Sequence, residues 1–127
     1  LLDTPTLPDK GWWYAPQILE EAPEGSPAAD DELFGPVASL WKVESLTQAI
    51  ERANASPFGL GSAICTTDKD EMEIAIRDLE AGSTFINTKV ASDPRLPFGG
   101  IKASGYGREL AGDGIRAFVN RKTVSIA

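Results

Sequence analysis

Val37-Ala38-Ser39-Leu40-Trp41-Lys42-Val43, then Ser45-Leu46-Thr47-Gln48-Ala49-Ile50, then Pro57, is the stretch on which the fold turns. The first seven residues read as a largely buried strand. Ser45 with Gln48 three residues on is a capping box. Leu46, Ala49, Ile50 and Ala53 fall at i, i+3, i+4 and i+7, which predicts an amphipathic helix to about Asn54. Pro57 stops it. Gly59 to Thr66 reads as a second strand. Asp68 then caps a second helix, with Glu71 at the box position and an apolar stripe of Met72, Ala75, Ile76 and Leu79. Gly82 suits the residue just past that helix. Ser83 to Asn87 is a third strand. Strand, helix, strand, helix, strand is the order of parallel βαβ units, so the predicted class is α/β with a parallel βαβαβ.

Working outward, residues 88–107 lack periodicity and are rich in turn residues. A third helix is expected from about Glu109 to Phe118, weakened by Gly112 and Gly114 at roughly 1 kcal/mol each. Lys122 to Ile126 alternates and ends the chain as a strand, free to pair with another chain's sheet edge. Toward the N-terminus, residues 1–31 are broken by Pro5, Pro8, Pro16, Pro23 and Pro27. Trp12-Trp13-Tyr14 carries too much apolar area to sit comfortably in water, so a loop and short strand packed on some surface is expected there.

Composition removes several function classes. The chain has 127 residues, 42% of them hydrophobic, enough for one domain with a core. Lys plus Arg is 12 and Asp plus Glu is 19, a net charge of −7, which disfavours binding to phosphate backbones or anionic membranes. No apolar run reaches the roughly 18 residues of a spanning helix. With 0 His and 1 Cys, no Ser-His or Cys-His couple, internal disulfide or CxxC metal site can be built from this chain. No metal site, nucleic-acid partner or membrane partner is expected, and a reducing, cytoplasmic location fits. Leu1 rather than Met opens the chain, which suggests a processed product or a piece of something longer.

The candidates for chemistry are few. Cys65 lies between Ile64 and Thr66 and reads as a small buried apolar residue rather than a reactive thiolate. Gly59-Leu60-Gly61 and Gly105-Tyr106-Gly107 read as turns, since neither continues into a phosphate-binding motif. Glu32-Leu33-Phe34-Gly35-Pro36 sets an acid and an aromatic before a strand. Glu32 can accept hydrogen bonds from paired ligand hydroxyls; equally it is an exposed Glu beside a core Phe. Pro97-Phe98-Gly99-Gly100 allows close approach of backbone to ligand or to backbone; equally it is a tight structural loop.

Read together, four ordered motifs resemble the NAD(P)-dependent aldehyde dehydrogenase family. They are Glu-x-Phe-Gly-Pro-Val from Glu32, Asn-x-x-Pro-Phe-Gly-Leu from Asn54, Ala-Gly-x-x-x-Ile-Asn from Ala81, and Pro-Phe-Gly-Gly-x-Lys-x-Ser-Gly-x-Gly-Arg-Glu from Pro97. The resemblance runs from about Gly11 to the C-terminus. Residues 87–95 and Gly105-Tyr106-Gly107-Arg108-Glu109-Leu110 look most like the succinate-semialdehyde dehydrogenases.

The resemblance implies a C-terminal portion of the catalytic domain over 1–120 and an oligomerisation strand over 121–127, with the cofactor domain absent. It implies a thiolate nucleophile and a general-base Glu outside this chain, so none of its residues is catalytic and the chain alone is inactive. Glu32 would hold the nicotinamide ribose hydroxyls and Phe34 would pack beside the nicotinamide of NAD or NADP, with no tight cofactor binding by the fragment itself. Phe98 would line the pocket of a small-molecule aldehyde. Ser92 and Arg95 would meet a substrate carboxylate, and Asn87 would stand near the thiol. Asp31-Glu32 replaces the family's paired Glu, which leaves the ribose role intact. Dimers or tetramers are expected. The alternative is a free-standing, non-catalytic binding or oligomerisation module with the same fold.

Overall fold

A computed structural model describes residues 6–127. The chain divides into two compact units, Leu1–Glu44 and Ser45–Ala127.

In the first unit, β1 (Gln17–Glu20) and β2 (Val37–Leu40) pair in parallel with Gln17 opposite Val37 and Glu20 opposite Leu40. The crossover between them carries the one-turn helix α1 (Pro27–Asp30). Pro27 favours that turn because its fixed φ is already helical and its missing N–H is not needed there. The Ser39 hydroxyl donates to Ala28 O at 2.7 Å, and the Trp41 indole N–H donates to Ala22 O at 3.1 Å. These bonds hold the crossover on the strands and leave Ala22 buried. The loop and short strand expected in this segment are the stretch around Trp12 and β1, but the aromatic residues are not packed on a surface. Trp12 is fully exposed, and Trp13 and Tyr14 are more than half exposed.

The second unit begins at Ser45, whose hydroxyl accepts from Gln48 N at 3.2 Å and caps α2 (Leu46–Asn54). Its stripe delivers one buried residue, Ile50. The strand expected from Gly59 to Thr66 is two short ones, β3 (Phe58–Gly59) and β4 (Ser62–Ile64), parted at Leu60-Gly61. Asp68 caps α3 (Lys69–Asp78) by accepting from Asp70 N and Glu71 N at 2.8 and 3.3 Å. The box is not reciprocal: Glu71 accepts from the Thr66 hydroxyl, which itself accepts from Asp68 N. β5 (Thr84–Ile86) returns parallel to β4, with Ser62 opposite Thr84 and Ile64 opposite Ile86. This β4–α3–β5 crossover is the parallel βαβ unit anticipated from the sequence. Among the described residues the pairing is therefore three separate two-stranded ladders, with β2 joined to β1, rather than one continuous βαβαβ sheet.

β6 (Ile101–Lys102) lies in the segment without periodicity and pairs antiparallel with β3. Two residues carry no readable period, so only the partner strand defines it. α4 (Ala111–Ala117) falls within the expected third helix, and it opens on two consecutive positive-φ residues, its N-cap Leu110 (φ 63°) and its first residue Ala111 (φ 48°). Residues 122–126, expected as a strand, form none here, and Val124 and Ile126 are exposed. A strand exists only through a ladder partner for its N–H and C=O groups.

Gly82 does not cap α3. The helix ends at Asp78, and Leu79 is already extended. Gly82 serves a different purpose: a Cβ there would sit 1.7 Å from Gly99 O and 3.1 Å from Gly100 Cα. Its N–H donates to Gly59 O at 2.9 Å. A Cβ on Gly59 would in turn sit 2.7 Å from Ile101 Cγ1 and 2.9 Å from Glu80 O. Three backbone segments thus touch at positions that admit no side chain.

Among the described residues the buried apolar set is only Ala22, Ile50 and Ala75. The core expected from composition is therefore small, and many large apolar side chains face outward. Because the glycine contact is backbone on backbone, it cannot relax by rotamer change. Gly82→Ala should destabilise the chain by about 3 kcal/mol, read by urea unfolding. A loss within about 0.5 kcal/mol would show that the contact bears no strain.

Candidate functional site

The segment from Asn87 to Leu110 carries most of the candidate residues, and its anchors can be traced bond by bond. It starts where β5 ends. Asn87 takes a left-handed conformation (φ 55°), and its N–H donates to Ile64 O at 2.8 Å. Asn is among the few residues that tolerate that region. Its carboxamide then closes one more rung with Thr66: Oδ1 accepts from Thr66 N at 2.9 Å and Nδ2 donates to Thr66 O at 2.8 Å. Asn87 therefore fixes the take-off of the following loop, with both polar ends of its side chain engaged.

Ser92 is exposed on that loop. Arg95 is exposed too and forks onto Asp93, with Nε to Oδ1 at 2.9 Å, Nη2 to Oδ2 at 2.6 Å and its own N–H to Oδ1 at 2.9 Å. The side-chain bonds, then the backbone bond, hold the Asp93 carboxyl below its ordinary value. A lowered carboxyl favours the paired form above the usual Asp range and loses it only as pH falls through the depressed value. Arg95 is thus oriented by Asp93 while its guanidinium stays open to solvent.

Phe98 is clamped in a two-bond bridge to Glu109: Phe98 N donates to Glu109 O at 2.9 Å, and Glu109 N donates to Phe98 O at 2.7 Å. Arg108 Nη1 donates to Gly100 O at 2.8 Å and Gly107 O at 2.7 Å. Ala111 N donates to Pro94 O at 3.1 Å. The Gly105–Glu109 run therefore serves as the back wall of the Phe98 loop. Phe98 is half-buried. A groove of about 270 Å³ is lined by Asn54, Phe58, Gly59, Leu60, Leu79 and Ala81 among others, and Phe98 does not line it.

Glu32 and Phe34 belong to the first unit, just before β2. Phe34 is 90% exposed and left-handed (φ 45°), an unusual and costly state for an aromatic residue. Val37 N donates to Gly35 O at 2.8 Å, and Gln17 N donates to Pro36 O at 2.9 Å, so the turn is fixed by the strands behind it. Glu32 is exposed. The structure thus groups Asn87, Ser92, Arg95 and Phe98 on one loop, and Glu32 with Phe34 on another.

Cys65 is exposed rather than buried. Regular pairing stops at Ile64, and along β4 exposure alternates, with Ala63 and Cys65 on the outward side. Thr66 and Glu109, which hold Asn87 and Phe98, escape notice in the sequence because backbone partners leave no side-chain signature. Among the described residues, no group of three or more His, Cys, Asp or Glu is placed to hold a metal, and no helix is long and apolar enough to cross a membrane.

The aldehyde dehydrogenase family model matches residues 2–124. A succinate-semialdehyde dehydrogenase [NADP(+)] of Mycobacterium ulcerans is 51% identical over 93% of this chain and 26% of its own length. A probable succinate-semialdehyde dehydrogenase [NADP(+)] of Synechocystis is 50% identical over 95% of this chain and 27% of its own. The crystal structure of the Streptococcus pyogenes succinic semialdehyde dehydrogenase with NADP+ superposes with a TM-score of 0.83 at 41% identity, covering 90% of this chain and 25% of that one. The chain spans about a quarter of the length of the curated relatives it matches. Motif order, element order and these matches agree: the chain belongs to the aldehyde dehydrogenase family.

Proposed function

We propose that this chain is the C-terminal part of the catalytic domain of an NAD(P)-dependent aldehyde dehydrogenase, oxidising succinate semialdehyde to the dicarboxylic acid. The observation that carries the reading is the anchored loop from Asn87 to Glu109, whose motifs are those of the family and whose residues suit a short aldehyde ending in a carboxylate. The substrate class rests on the succinate-semialdehyde dehydrogenases at about half identity.

The role of the chain is positioning. Its one thiol, Cys65, stands outside the four motifs, and the attacking thiolate and general base are assigned to other parts of the enzyme. Phe98 lines the aldehyde pocket with its ring, oriented by the Glu109 bridge. The Ser92 hydroxyl and the Arg95 guanidinium donate to the distal carboxylate, since a carboxylate leaving water needs such partners. Asp93 aims Arg95. Asn87 sets where the loop departs.

An exposed carboxylate two residues before an exposed, rigidly held aromatic fits a nicotinamide nucleotide: Glu32 accepts from vicinal ribose hydroxyls, and Phe34 offers its ring to the planar base. The bound cofactor supplies the hydride acceptor. NADP is favoured over NAD by the named relatives. Residues 121–127 add as a strand to a neighbouring subunit's sheet, giving dimers or tetramers. A cytoplasmic location accords with this chemistry.

In the complete enzyme, Glu32→Gln should raise the cofactor KM about tenfold, the loss of one charge-assisted hydrogen bond, with folding unchanged by circular dichroism. Unaltered cofactor kinetics would remove Glu32 from the ribose. Phe98→Ala should shift kcat/KM between succinate semialdehyde and a bulkier aldehyde about tenfold. An unmoved preference would make the Gly-Gly loop merely structural.

A further inference from the structure

We infer that Lys102 is a positioning residue for the Phe98 loop, acting through its ammonium group rather than by touching substrate. The inference rests on the placement of Phe98 in the aldehyde pocket, and adds a residue that this placement requires.

Two glycines separate Phe98 from Ile101, so the loop has no side chains of its own with which to hold its path. Gly82 packs on Gly99 and Arg108 Nη1 holds Gly100 O, and the loop is further fixed at its two ends. On one side stands the Phe98–Glu109 bridge. On the other, Lys102 takes a left-handed conformation (φ 55°), uncommon for any side-chain-bearing residue and held only where the surroundings enforce it. That conformation accompanies an ammonium group 2.7 Å from Asn54 O, 3.4 Å from Ser56 O and 2.7 Å from Glu80 Oε2. Three acceptors match its three donors.

The acceptors come from two segments that the glycine junction brings together. Asn54 O is a C-terminal carbonyl of α2, where a cation is favoured by the helix dipole. Glu80 lies between α3 and β5, and its N–H donates to Asn54 Oδ1 at 2.9 Å. Asn54 Nδ2 also donates to Asp78 O at 2.8 Å. Ala103 N donates to Pro57 O at 2.9 Å, and the Ser104 hydroxyl accepts from Gly59 N at 3.0 Å. Lys102 is the positive charge of this network, and its side chain is only 25% exposed. Without the ammonium, the Asn54 and Ser56 carbonyls and the Glu80 carboxylate would lose the donor they share, and the left-handed turn would lose its anchor.

The test is site-resolved amide hydrogen exchange on the 127-residue chain, which needs no enzymatic activity. Lys102→Met keeps the stem and removes the charge. Protection of the Phe98 and Glu109 amides should fall roughly tenfold, while that of Ala75 inside α3 stays within about twofold. Unchanged protection at Phe98 and Glu109 would overturn the inference. So would an equal fall at Ala75, which would make Lys102 a general stabiliser. Should Lys102→Met fail to fold, Glu80→Gln decides: a selective drop of about threefold at Phe98 and Glu109 supports the anchor, and no drop overturns it. If exchange moves as expected while Phe98→Ala leaves aldehyde preference untouched, the pocket assignment of Phe98 falls and the anchoring by Lys102 stands.

Discussion

Contact of Gly82 with the carbonyl of Gly99 is the constraint on which the second unit depends. No other residue type fits at position 82, because its Cβ would occupy the space of the Gly99 oxygen. That contact, the Gly82 N–H to Gly59 O bond and the β3–β6 ladder bring residues 54–61, 79–83 and 97–104 to one place. The parallel β4–β5 pair and α3 supply the frame. The frame fixes where Asn87 ends the sheet, and the junction fixes where Phe98 emerges. The irregular loop that carries most of the candidate residues is thereby held by regular structure at its two ends, the arrangement that lets loops carry chemistry on a rigid scaffold.

Much of this was legible in the sequence, for physical reasons that can be named. Ser45 with Gln48 and Asp68 with Glu71 marked two helix starts, because side-chain oxygens satisfy otherwise orphaned N–H groups. The stripes through Ile50 and Ala75 marked the buried faces. Less was legible where meaning depends on a distant partner. Gly82 looked like a helix cap because local reading sees only the preceding helix. β6 is too short to show alternation. Residues 122–126 alternate well, yet alternation provides no partner. Cys65 sat in an apolar run and was expected to be buried, but the ladder stops one residue earlier. At the candidate site, Glu32, Phe34 and Phe98 stood out by motif, whereas Thr66 and Glu109 act through their backbone.

Outward-facing apolar groups, from Trp12 and Trp13 to Phe118 and Ile126, contrast with the small buried set. Elements of this kind normally bury such surface against neighbours. Three of the candidate residues are themselves well fixed. Phe34 is held in a costly left-handed turn, Arg95 is aimed by Asp93, and Asn87 is spent on Thr66. Under the proposed function such residues would supply orientation, which governs rate and selectivity once nucleophile and base are in place.

The central claim is that the chain positions substrate and cofactor and does not itself perform the oxidation. Its most direct test is to incubate the 127-residue chain with succinate semialdehyde and NADP+ and follow NADPH by its absorbance. The expected result is no NADPH above the protein-free control at any chain concentration. Aldehyde-dependent NADPH formation that disappears with Cys65→Ser would contradict the account, since the exposed thiol would then be the nucleophile.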